Sequence, residues 1–132
     1  MDKSRRNSLA TLVYDCAREV HAITGPGIIP EVFRSCLAHE FRLRGIRFRV
    51  QTPVGIHYKG IRIDEKLLCD FIVEEEIAVE IVPNNDKEGR AVQKLNTILT
   101  FSGCSLGILL NPSEERLIDG FKKVNNLKKI QV

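Results

Sequence analysis

Two carboxylates in an apolar setting are the residues best placed for chemistry. They lie in Leu67–Val82, LLCDFIVEEEIAVEIV. Its arms are rich in Val, Ile and Phe, and Glu74-Glu75-Glu76 between them cannot be buried, so the stretch reads as two strands joined at an acidic turn. A turn centred on Glu75 sets Val73 opposite Ile77, Ile72 opposite Ala78, Phe71 opposite Val79 and Asp70 opposite Glu80. Directly opposed residues share a sheet face. Like charges opposed in this way are destabilising unless a positive charge lies between them. A divalent metal held by Asp70 and Glu80 satisfies that need. A solvated sheet edge, or a slip of one residue in register, satisfies it equally on spacing alone.

The remaining chemistry-bearing residues are less specific. Arg42, Arg44, Arg47 and Arg49 form a basic run, with Arg47 and Arg49 on one face of a strand, that could follow a phosphate backbone or line a solvated face. His21 closes a helical stretch, where a histidine is commonly a cap or core group. His57-Tyr58-Lys59 reads as a surface turn. Lys122, Lys123, Lys128 and Lys129 with Asn125 and Asn126 read as a polar tail. Four cysteines, Cys16, Cys36, Cys69 and Cys104, are scattered through apolar patterns with no C-x-x-C pair, which points to reduced core thiols rather than zinc.

These residues must be positioned by a modest scaffold. At 132 residues the chain suits one domain, expected over 1–132 with 1–7 and 125–132 flexible. A 43% hydrophobic and 28% charged composition belongs to a soluble globular protein, and the net charge of +3 permits a nucleic-acid partner without requiring one. No apolar run reaches the ~20 residues of a membrane span, and MDKSRRNSL lacks the apolar core of a secretory signal. A cytoplasmic location without membrane contact is expected.

Helical spacing of Leu9, Leu12, Val13, Cys16 and Val20 predicts a first helix capped by Ser8 and stopped by Gly25-Pro26-Gly27. A second is expected from Pro30 to Arg44, with Val32, Phe33, Cys36, Leu37 and Phe41 inward. Ile46–Gln51 alternates as a strand that Thr52-Pro53 interrupts. Val54–Tyr58 and Ile61–Ile63 follow, with Lys59-Gly60 as a turn. After the acidic hairpin, Asn85 and Glu88 resemble a capping box for a third helix running to Ser102, with Val92, Leu95, Ile98 and Leu99 inward. Ser105–Leu110 reads as a doubly covered strand. The spacing of Leu117, Ile118, Phe121 and Val124 predicts a last helix over Glu114–Val124. The order implies an α/β (α+β) domain with a mixed sheet and a crossover through the third helix.

Several stretches resemble the GxxExxY proteins, a branch of the PD-(D/E)XK nuclease superfamily. Glu19-Val20-His21 and Gly25-Pro26-Gly27, in AREVHAITGPGIIPEVF, match the family's opening. Phe41–Gly60, LLCDFIVEEEIAVEIV, AVQKLNTILTFSG and LGILLNPS are similar to its middle section, hairpin, helix and following strand, in order from about Leu9 to Phe121. The resemblance implies a restriction-endonuclease-like core with flanking helices. It carries the family's Asp and the Glu of E-x-K over to Asp70 and Glu80, which hold Mg²⁺ or Mn²⁺ in active members. There the metal activates water and stabilises charge on the scissile phosphate, while the lysine orients the water.

The departures fall on the chemistry. Pro30 stands at the glutamate of the opening motif, with Glu31 one residue on, and Phe33 replaces the tyrosine. Val82 occupies the lysine position of E-x-K and faces Leu68. Aligning the third helix by its Ser102-Gly103 end sets Lys94 at the family's glutamine, from where it could reach Asp70 and Glu80; Gln93 takes that place only with a shift of one. The favoured expectation is therefore a non-catalytic nuclease-fold module that binds DNA or RNA, or serves as a scaffold for a protein partner. The alternatives are an active magnesium-dependent nuclease using Asp70, Glu80 and Lys94 with Glu31 as a third carboxylate, and a homo-oligomeric structural protein without nucleic acid.

Overall fold

The structure is a computed structural model describing residues 2–84 and 88–126. Three helices, α1 (Lys3–Thr24), α2 (Pro30–Leu43) and α3 (Glu88–Ser102), flank strands β1 (Phe48–Pro53), β2 (Ile56–Tyr58), β3 (Ile61–Ile63), β4 (Leu68–Val73), β5 (Ile77–Ile81), β6 (Leu106–Leu110) and β7 (Phe121–Asn125), with a 3-10 turn over Leu117–Gly120. Five strands form a mixed sheet in the order β1-β4-β5-β6-β7, while β2 and β3 form a separate ribbon. Neighbours in the large sheet are antiparallel except β5 and β6, which are parallel. α3 makes the crossover that a parallel pair requires.

Two cores sandwich this sheet. On one side α1 and α2 bury Val13, Cys16, Phe33, Leu37 and Phe41 against Phe71, Val79 and Ile108. The rings of Phe41, Phe48 and Phe71 lie 5.3–5.7 Å apart in tilted and edge contacts. On the other side α3 sets Ala91, Leu95, Ile98 and Leu99 against Cys69, Ile72, Ala78, Val82 and Leu109. Gly107 of β6 lets α3 come down onto the sheet, since a Cβ there would lie 3.0 Å from the Leu95 side chain.

Four expectations are corrected. α1 begins at Lys3, not after Ser8, because Asp2 caps it by accepting the Arg5 N–H at 2.8 Å. β1 runs through Thr52-Pro53, with Gln51 absorbing the irregularity in a left-handed conformation at φ 50°. The last helix does not form. The fully buried β6 needs a partner on its open edge, and β7 supplies it from Leu110–Phe121 to Leu106–Asn125. Gly120 makes this approach feasible, because any Cβ would collide with the Asn111 carbonyl. Asn126 is not tail: it is buried and its Nδ2 donates to Leu99 O and Cys104 O at 2.8 and 2.7 Å, closing the end of α3. Asn85 of the expected capping box, and Lys128 and Lys129, lie outside the described residues.

Candidate active site

The β4–β5 hairpin has the expected register, Val73–Ile77, Ile72–Ala78 and Phe71–Val79, with Glu74 and Glu75 left-handed at the turn. The backbone ladder then ends, and side chains take over from it. The Asp70 N–H donates to Glu80 Oε2 at 2.6 Å, and the Ile81 N–H donates to Asp70 Oδ2 at 2.9 Å. Each carboxylate is thus held by the backbone of the opposite strand. Cys69 packs with α3 while Phe71 packs with α1 and α2, although strict alternation would put both on one face. β4 therefore changes face at Asp70, opposite the left-handed Gln51 of β1.

Two cations bracket the pair. Lys94, on α3, brings Nζ to 2.7 Å from Glu80 Oε1. Arg34, on α2, brings Nη1 to 3.1 Å from Asp70 Oδ1. With its amide oxygen toward α2, Gln51 accepts from Arg34 Nε, Nη1 and Nη2 at 3.1, 2.9 and 3.2 Å. The opposite amide orientation lets Nε2 donate to Asp70 Oδ1 at 3.3 Å but sets that N–H group against the guanidinium donors, so this one is preferred.

Burial governs the electrostatics. Glu80 is only 4% exposed, and burial, then the neighbouring Asp70 charge, push its carboxyl up to about 7 against the pull of Lys94. Burial works against the charge of Lys94, but the hydrogen bond to Glu80 and the negative pair outweigh it and raise the Lys94 pKa. Burial and then Glu80 push the Cys69 thiol up, so it is no nucleophile.

The pair opens into a cleft of about 570 Å³, lined also by Glu31, Lys66, Arg90 and Gln93. Asp70 and Glu80 offer hard oxygen donors, which suit Mg²⁺ with part of its water shell. Among the described residues no group of three His, Cys, Asp or Glu side chains could hold a metal. The fit is therefore to a hydrated ion on two carboxylates. Glu31 stands exposed at the rim and does not close into a third ligand, because Pro30 starts α2 and sets the next side chain on its outer turn.

Other sequence candidates lie elsewhere. Val82 is buried under α3 among Ala91, Leu95 and Leu109, so no cation belongs in that seat. Phe33 is fully buried core. Arg47 and Arg49 pair with Glu74 and Glu75 of the turn at 3.0 and 2.8 Å. Their charge is matched there, and neither lines the cleft. His21 is a structural link, its Nε2 lying 2.8 Å from Glu114 O. Besides Lys94, the cleft is lined by the cations Arg34, Lys66 and Arg90, which the sequence did not mark as functional. Only Arg34 left a local signal, one helical turn beyond Glu31.

A search of curated proteins finds no match. A solved structure described as the crystal structure of SSO0001 is similar in fold, with a TM-score of 0.54 and 18% identity over 72% of this chain. The match spans 48% of that longer chain, about half its length. The family model for the PD-(D/E)XK nuclease superfamily matches residues 7–124. With that match over nearly all of a chain whose hairpin, crossover helix and paired acids take these positions, the protein belongs to the PD-(D/E)XK nuclease superfamily.

Proposed function

We propose that this chain is an active, divalent-metal-dependent nuclease of the GxxExxY kind, in which the lysine is supplied by α3 rather than by the end of β5. The observation that carries this reading is the Lys94 amine 2.7 Å from Glu80, beside Asp70. Lys94 supports a relocated lysine in place of the one missing at Val82, while Pro30 still stands where the opening motif has its glutamate. Asp70 and Glu80 would hold magnesium or manganese, which supplies Lewis acidity to the scissile phosphate and to an attacking water. Asp70 and Glu80 orient that site through their backbone hydrogen bonds. Lys94 donates a hydrogen bond to the water and offsets negative charge as it builds on the phosphate. Lys66 and Arg90 on the cleft walls bind flanking phosphates.

The test is cleavage of plasmid, single-stranded DNA and structured RNA with Mg²⁺ or Mn²⁺. Cleavage that stops with chelator, with Asp70→Asn and with Lys94→Met is expected. No cleavage and no metal binding, with salt-dependent nucleic-acid affinity retained, would return the protein to the non-catalytic binding module. Neither activity, together with elution as an oligomer, would indicate a structural role.

A further inference from the structure

Resting on the proposed metal site, the geometry points to a second function for Arg34: it is the counter-cation of Asp70 in the metal-free protein, and it exchanges that carboxylate for a substrate phosphate when a divalent ion binds. Asp70 Oδ2 is held by the Ile81 N–H. Oδ1 is therefore the Asp70 oxygen left for a cation in the cleft, and Arg34 Nη1 covers it at 3.1 Å. The same oxygen cannot keep a full guanidinium contact and a divalent ion side by side, because the two positive charges repel strongly in a half-buried site.

Charge balance says the same. With both ionised, Asp70 and Glu80 carry two negative charges, matched by Arg34 and Lys94. Adding a divalent ion leaves an excess of positive charge, which an incoming phosphate would neutralise. Lys94 sits on Glu80 Oε1, and its part in the proposed mechanism is at the attacking water. Arg34 is three-quarters buried, lines the same cleft and projects from the first turns of α2, so a rotation of its side chain alone would turn it from Asp70 toward the cleft. Its planar fork suits a phosphate as well as it suits a carboxylate.

Gln51 is the catch. Its amide oxygen faces three guanidinium nitrogens, and its backbone holds the left-handed φ of 50° at the point where β1 faces Asp70. Glutamine has no intrinsic preference for that conformation, so the surrounding strands impose it. The outcome is an arginine held in place over the metal position by a residue that takes no part in binding metal.

The test measures Mn²⁺ affinity by calorimetry and then, with Ca²⁺ in place of the catalytic ion, the affinity for a short oligonucleotide. Arg34→Gln should bind Mn²⁺ about ten-fold more tightly and the oligonucleotide about ten-fold more weakly than the parent chain. Gln51→Leu should tighten Mn²⁺ by a smaller factor and leave oligonucleotide affinity close to that of the parent. Arg34→Lys keeps the charge without the fork and should fall between, which covers the case in which Arg34→Gln does not fold. Mn²⁺ affinity that is unchanged or weaker in Arg34→Gln, or in Arg34→Lys if only that variant folds, overturns the exchange while leaving the metal site intact. Mn²⁺ binding by Arg34→Gln where the parent binds none supports it. Absence of binding in every variant overturns the exchange and the nuclease reading together.

Discussion

The two ends of the β4–β5 hairpin use the same chemistry to opposite effect. At the turn, Glu74 and Glu75 pair with Arg47 and Arg49, and Glu76 accepts from the Ser105 hydroxyl. The Arg47 and Arg49 side chains are open to water, and Arg6 lies 3.8 Å from Glu76, so each acid has its own cation. At the other end Asp70 and Glu80 share a cleft, Glu80 is buried, and the cations arrive from helices on either side. The turn fastens the hairpin; the open end gathers two carboxylates, one of them buried, at the mouth of a cleft. Burial, rather than the residue types, makes the difference.

The largest effects expected from breaking this contrast are at the open end. Lys94→Met should lower the cleavage rate by about 100- to 1,000-fold at saturating metal, read in single-turnover assays. The analogous loss at the turn, Arg49→Ala, should leave the rate unchanged.

Moving the lysine back to the end of β5 sharpens the comparison in stability. Val82→Lys puts an ammonium among Ala91, Leu95 and Leu109, and should destabilise the fold by about 2–4 kcal/mol in urea titrations. In combination with Lys94→Met it should not restore cleavage.

The two ends should also respond to pH with opposite sign. Glu80 is raised to about 7 from its ordinary value of 4.5, so the folded state holds its proton more tightly than the unfolded state. Its contribution to stability is present below about pH 4.5 and is lost as pH rises through about 7. Glu74 is held below its ordinary value by the Arg47 N–H and guanidinium, so its contribution is present above that value and lost as the solution is acidified through its lowered pKa. Denaturation midpoints across this range should show a neutral-side decline that Glu80→Gln removes and an acid-side decline that Glu74→Gln weakens.

The smallest effect is expected from the exposed ion pairs. Arg47→Ala and Arg49→Ala should each change stability by less than about 1 kcal/mol, with the difference fading as salt is added.

The hairpin was legible because its information is local. Apolar strands in Leu68–Val73 and Ile77–Ile81, with three glutamates that cannot be buried between them, favour the turn-centred register that the structure has, and its continuation sets Asp70 opposite Glu80. The same periodicity misled at the C-terminus. Leu117, Ile118, Phe121 and Val124 are spaced as in a helix, yet the open edge of β6 draws Phe121–Asn125 into a strand. Arg47 and Arg49 were visible as cations, but not as partners of the turn some 26 residues away.

By itself, then, the sequence determined three flanking helices, a mixed sheet and a hairpin in which Asp70 can oppose Glu80, because strand alternation and helix faces follow from residues near one another in the chain. Only the tertiary structure decided that Lys94 meets Glu80 and that Arg34 covers Asp70. Those contacts depend on how closely α3 and α2 settle on opposite sides of the sheet, which is set by packing at places such as Gly107 against Leu95 and has no local signature.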